Sequence, residues 1–238
     1  GAFGAFVEGV GVHMTRGGSL PEYEHQYREG LGGHALREAW SALVDETADA
    51  YRALDPSVRV PWAGPSMGAR SAISARQMET WAHGQEVFDI LGVAREERDR
   101  VRNIVVLGIN TYGWTFKVRG ETPPGPMPLV ELTSPSGALW TYGEPQDGSV
   151  IRGEAVEFAQ VVTQTRNIAD THLTVVGECA SRWMQNAQCF AEVVKHSSLS
   201  LSGDQVWPQY KPQLRHGCLT KAKPCVMHTI KVVTAHFS

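Results

Sequence analysis

The segment Glu121-Thr122-Pro123-Pro124-Gly125-Pro126-Met127-Pro128 constrains the fold more than any other stretch. Four of its eight residues are prolines. Proline withholds a backbone donor and fixes φ, so the segment excludes both helix and central strand. Before it, apolar residues recur at helical spacing; after it they fall in short extended runs separated by turn residues. A chain divided in this way reads as α+β, with a helical part followed by a small mixed domain. Its 238 residues suffice for two small domains.

Leu36, Ala39, Trp40, Leu43, Ala50 and Leu54 predict a helix over 35–54, ended by Asp55-Pro56. Val60 to Met67 is expected to be irregular, with two prolines and a glycine. A long helix follows from Ala69 to Leu91 and stops at Gly92; a third is expected over 96–116. Beyond the prolines, Leu129–Thr133 and Ala138–Tyr142 flank Ser134-Pro135-Ser136-Gly137 as a hairpin. Val150–Arg152 and His172–Val176 read as further strands, and 155–163 and 179–194 as helices. A short helix around Tyr23–Arg28 is the only regular element expected in the glycine-rich opening. The tail from Lys195 lacks periodicity and is expected to be weakly ordered.

The formal charge of -3 and pI near 6.3 leave no basic block for binding nucleic acid or anionic lipid. No apolar run approaches the roughly 20 residues that span a bilayer. Gly1-Ala2-Phe3-Gly4-Ala5-Phe6 lacks the layout of a secretion signal. A cytoplasmic protein without nucleic-acid or membrane partners is the resulting expectation. Cys179, Cys189, Cys218 and Cys225 all lie in the last quarter of the chain, unlike a disulfide framework, and are expected as thiols. Cys218 and Cys225, with His216 and His228, lack the spacing of a compact zinc cluster.

Within the long helix, Arg76, Glu79, His83 and Glu86 form one polar stripe at 3, 4 and 3 spacing. Ala75, Met78, Trp81, Ala82 and Phe88 border it, so one side of the stripe approaches the interior if those side chains are buried. A carboxylate and an imidazole on adjacent turns can donate an oxygen and a nitrogen to one divalent ion. The competing reading is an i, i+4 surface pair worth a few tenths of a kcal/mol.

The run Arg76-Gln77-Met78-Glu79-Thr80-Trp81-Ala82-His83-Gly84-Gln85-Glu86-Val87, preceded by Pro61-Trp62-Ala63-Gly64-Pro65-Ser66-Met67, resembles an actinobacterial metal-binding family related to the mycothiol-dependent maleylpyruvate isomerases. The resemblance extends through Leu129–Thr133, Pro135–Trp140, Thr165-Arg166-Asn167 and Trp183 to Ala187–Ala191. It implies a DinB-like metal-binding helical bundle followed by a small sterol-carrier-like α/β domain. The expected boundaries are an ill-defined segment 1–33, a partial bundle 34–120, a linker 121–128, the small domain 129–194 and a divergent tail 195–238.

In this resemblance Glu79 and His83 are metal ligands, with zinc the expected ion, and a third ligand is a histidine on an earlier helix. That histidine is expected to lie before Gly1, making the bundle truncated. His13, in Gly11-Val12-His13-Met14, is the nearest upstream candidate, and His25 and His34 have no better support. Arg166 corresponds to an arginine that reaches the shared cleft. It is the candidate catalytic residue and, with Arg76, a candidate cofactor-binding residue. A guanidinium suits a carboxylate, which it holds bidentately; equally, Arg166 fits a solvent-facing arginine at a helix end.

The implied activity is a metal- and mycothiol-dependent isomerase or transferase acting on a small anionic electrophile. The thiol adds to an activated carbon, rotation follows, and elimination returns the thiol. The alternative is a non-catalytic metal-binding or small-ligand-binding protein with an incomplete site. A bundle lacking helices would expose an apolar face and self-associate.

Overall fold

The computed structural model describes residues 22, 25–26, 28, 30–60, 67–146 and 148–189. The expectations for His13, most of the Tyr23–Arg28 helix, Cys218, Cys225 and the tail lie outside these residues. The order of elements is α+β: helices come first, and a small sheet with its own helices follows. The chain divides into two compact units, at His83/Gly84.

The first unit contains α1 (Gly33–Ala53), β1 (Arg59–Val60), β2 (Met67–Gly68) and the start of α2 (Ala69–Leu91). Along α1 the covered positions are Leu36, Trp40, Leu43, Val44, Thr47, Ala48 and Tyr51, a stripe with helical period. β1 and β2 form a two-stranded antiparallel ribbon, Arg59 opposite Gly68 and Val60 opposite Met67, so the two ends of the stretch expected to be irregular are paired as strands. The Ala69 N–H donates to the Val58 carbonyl at 2.8 Å, which ties the first residue of α2 to the segment just before β1. The α2 side chains Ala72, Arg76, Met78, Trp81 and Ala82 are buried.

The second unit is built on a four-stranded sheet of order β4-β3-β5-β6. β3 (Leu129–Thr133) pairs antiparallel with β4 (Leu139–Tyr142) and parallel with β5 (Val150–Glu154); β5 pairs antiparallel with β6 (Thr174–Val176). Val130, Leu132, Trp140 and Ile151 are buried on one face. Glu131 and Arg152, paired in register, form an ion pair at 2.6 Å on the other. The inner face is covered through α5 (Ala155–Val162), against which α3 (Arg102–Asn110) packs, while α6 (Glu178–Asn186) packs on β6 and α4 (Tyr112–Lys117). The α3–α5 approach is close because Gly108 has no side chain: a Cβ there would lie 2.8 Å from Val162 Cγ2.

Two expectations about helices are corrected. The helix expected over 96–116 is instead a 3-10 turn (Asp99–Val101), α3 and α4. Arg98 is extended, and the Thr111 hydroxyl bonds the Leu107 and Gly108 carbonyls at the break, as a side chain competing with the helical backbone does. The last helix ends at Asn186, because Ala187 turns extended and Cys189 N–H reaches the Val162 carbonyl at 3.0 Å. Residues 121–128 lie within the second unit. Tyr112 Oη donates to the Gly125 carbonyl at 2.8 Å and lies 2.9 Å from Cys179 Sγ, tying the proline segment to α4 and α6.

Candidate functional site

Glu79 and His83 lie one turn apart on the part of α2 that belongs to the first unit, and their side chains converge: His83 Nε2 is 3.4 Å from Glu79 Oε2. Both are 23% exposed. They are therefore neither a freely solvated surface pair nor core residues. A separation of 3.4 Å is long for an N–H···O hydrogen bond, whose usual range is about 2.7–3.2 Å. It equals the edge expected between two donors each about 2.1 Å from one tetrahedral ion. The nitrogen and oxygen donors thus fit two corners of a zinc set.

They do not complete one. Among the described residues no group of three or more His, Cys, Asp or Glu is placed to hold a metal. His34 is on the exposed first turn of α1, paired with Glu38 at 3.2 Å. The rest of the expected stripe is split by burial: Glu86 is exposed, whereas Arg76 is 1% exposed. Burial pulls the Arg76 guanidinium below its ordinary pKa, and the charge interaction with Tyr51 of α1, followed by hydrogen bonding to it, opposes this. Arg76 is thus a cation held inside the first unit, one turn before Glu79.

Arg166 belongs to the second unit, just after α5. Its fork is spent on Asp89, with Nη1 to Oδ2 at 2.7 Å and Nη2 to Oδ1 at 2.6 Å. Nη1 also donates to the Thr165 carbonyl. Gln85 Nε2 adds a 2.9 Å bond to the same carboxylate. The bidentate geometry foreseen for a ligand carboxylate is thus satisfied internally. No local pattern in the sequence marked Asp89, which lies 77 residues from its partner.

The hydrogen bond with Asp89 raises the Arg166 pKa, outweighing burial. For Asp89, burial works to raise the pKa, but the bonds from Arg166 and Gln85 prevail and lower it. A carboxyl whose folded pKa lies below its unfolded value of about 3.9 contributes stability above that pH and loses it as pH falls through the folded value. Asp89→Asn is expected to cost about 1 kcal/mol at pH 7, allowing for solvent screening of a partly exposed pair. It should also flatten the parent's loss of stability below about pH 4. Urea unfolding at pH 7 and pH 3 measures both.

Residues 4–88 match the family described as the mycothiol maleylpyruvate isomerase N-terminal domain. Two relatives, uncharacterized proteins of Mycobacterium tuberculosis strains CDC 1551 / Oshkosh and ATCC 25618 / H37Rv, are each 44% identical over 152 residues. The match covers 64% of this chain and 59% of each relative, so the chain spans about three fifths of their length. No solved structure matches the chain. Among the described residues no helix is long and apolar enough to cross a membrane.

Proposed function

We propose, on the premise that residues 4–88 match the mycothiol maleylpyruvate isomerase N-terminal domain, that this chain is a divalent-metal protein of the DinB-like kind. Its co-substrate is a low-molecular-weight thiol, mycothiol, used in an isomerase or transferase reaction on a small anionic electrophile. The second unit takes the place of the family's sterol-carrier-like domain. The observation that carries the reading is the 3.4 Å convergence of Glu79 and His83 on one half-buried face of α2.

In this reading Glu79 and His83 hold the ion from successive turns, and a rigid helix keeps their donor atoms in place. Bound there, a zinc ion would supply Lewis acidity and favour the thiolate form of the thiol. Arg76, a buried cation one turn away, attracts the anionic partner. A second reading is a non-catalytic metal- or ligand-binding protein. It is favoured by the engagement of Arg166 with Asp89, which leaves the expected catalytic guanidinium committed within the protein.

Zinc content after dialysis is the test, in the parent, His83→Ala and Glu79→Gln. The parent should retain zinc weakly, since two protein ligands fall short of the usual three. Each variant should bind it at least about tenfold less tightly, because even supporting groups around a metal contribute roughly 10- to 100-fold. Equal zinc in all three would remove α2 from the site. Zinc binding without mycothiol-dependent turnover of maleylpyruvate would favour the second reading.

A further inference from the structure

Within the second unit three donors converge on one carboxylate, that of Asp89: Nη1 and Nη2 of Arg166, at 2.7 and 2.6 Å, and the Gln85 amide nitrogen, at 2.9 Å. The arginine is fixed by its backbone. α5 ends in a cap of the Schellman type, in which the Thr165 N–H bonds the Gln160 carbonyl at 2.9 Å and the Gln164 N–H bonds the Val161 carbonyl at 3.0 Å. Glycine usually fills the left-handed position of this cap. Here it is Gln164, with φ 58°, and no other non-glycine residue among the described ones has positive φ. The Gln164 side chain is tied down by a 3.2 Å bond to the Ala187 carbonyl. Arg166 follows at once, its Nη1 also donating to the Thr165 carbonyl at 2.7 Å. Strained backbone of this kind persists where the surrounding structure enforces it, and it concentrates at binding and switch positions.

Asp89 is the looser half of the pair. Its side chain is 36% exposed, against 17% for Arg166. It stands in the last turn of α2, where the unpaired carbonyls of the helix end disfavour a negative charge, and that turn holds no basic residue. The donors also fit Asp89 imperfectly. Its Oδ1 is shared between Arg166 Nη2 and Gln85 Nε2, while Oδ2 takes Nη1 alone. A tetrahedral oxyanion would offer two oxygens to the fork and a third to the amide. Gln85 is buried and Arg166 is anchored, so both donors stay in place when the carboxylate turns out to water.

We propose that Asp89 is a releasable internal lock on a site for a tetrahedral oxyanion of the phosphate or sulfate type, formed by the Arg166 fork and the Gln85 amide. Rotation of Asp89 opens the site, and the incoming anion takes over the same donors. While the lock is closed the site is masked, so the apparent affinity falls with the fraction of molecules that are open. Neither Glu79 nor His83 takes part, and the inference stands apart from the metal reading.

Calorimetric titration of the 238-residue chain with inorganic phosphate, at pH 7 and constant ionic strength, tests this in the parent, Asp89→Asn, Arg166→Gln and the double variant. The parent should bind phosphate weakly and saturably. Asp89→Asn should bind it about fivefold tighter, the factor that matches the modest worth of a partly exposed ion pair. Arg166→Gln should abolish binding in both backgrounds. Should that variant fail to fold, Arg166→Lys in the Asp89→Asn background keeps the charge without the fork, and should bind about threefold to tenfold more weakly than Asp89→Asn alone. Equal affinity in the parent and Asp89→Asn, or binding that survives the loss of the fork, would overturn the proposal. Phosphate that binds Asp89→Asn but never the parent would mark a permanent ion pair and overturn it as well. Zinc content of the same samples reports on Glu79 and His83 alone, so the two ideas fail separately.

Discussion

Trp183→Ala is expected to destabilise the second unit by about 3–5 kcal/mol, the range for deleting a buried aromatic side chain. Trp183 is 0% exposed and is the largest fully buried side chain among the described residues. Its ring meets Tyr112 edge-on at 5.0 Å and Phe158 at 5.7 Å, so truncation removes two aromatic contacts as well as the transfer energy of the indole. These contacts join α6 to α4 and α5, and the whole helical layer over the sheet should loosen. Thermal unfolding followed by near-ultraviolet circular dichroism measures the loss. A shift of only a degree or two would mean that the neighbours collapse into the space.

Gly177→Ala should cost about 3 kcal/mol or more, for two separable reasons. Gly177 joins β6 to α6 with φ 90°, where an L side chain is strained by about 1–2 kcal/mol. A Cβ there would also lie 1.9 Å from the Gly148 carbonyl oxygen, and backbone on the neighbouring segment cannot swing away as a side chain could. Gly120→Ala is the internal comparison. Gly120 also has positive φ, 70°, yet a Cβ there meets nothing within 4 Å. Its cost should be the conformational part alone, about 1–2 kcal/mol. Similar denaturation midpoints for the two variants would show that the strand–helix junction moves apart easily.

The elements with strong periodicity are legible in the sequence alone. α2 runs from Ala69 to Leu91, the limits its pattern indicated, because Gly92 takes φ 64° there and stops it. The hairpin is closed at Gly137, φ 87°, by a bond from its N–H to the Ser134 carbonyl at 2.8 Å. Asp99 then fixes that turn through Ser136, a tie between segments 37 residues apart that no local pattern announces. The break at Thr111 was missed because the apolar spacing continues through it while the backbone does not.

The Glu79–His83 pair was readable for a plain reason: helical geometry alone sets which residues one turn apart share a face. Arg166 was readable as a residue type but not by its partner. Whether a guanidinium is offered to a ligand or held by a carboxylate depends on what the fold brings near it, and here that is Asp89.

By itself, then, the sequence determined the local matters: helix and strand periods, the turns, and the facing of Glu79 and His83 on α2. Tertiary structure alone decided that Arg76 is buried, that Arg166 is held by Asp89, and that the helices after Gly92 join the sheet. The physical reason is range. Backbone torsions and side-chain period act over a few residues and are written in neighbouring letters, whereas burial and pairing depend on segments that meet only when the chain closes on itself.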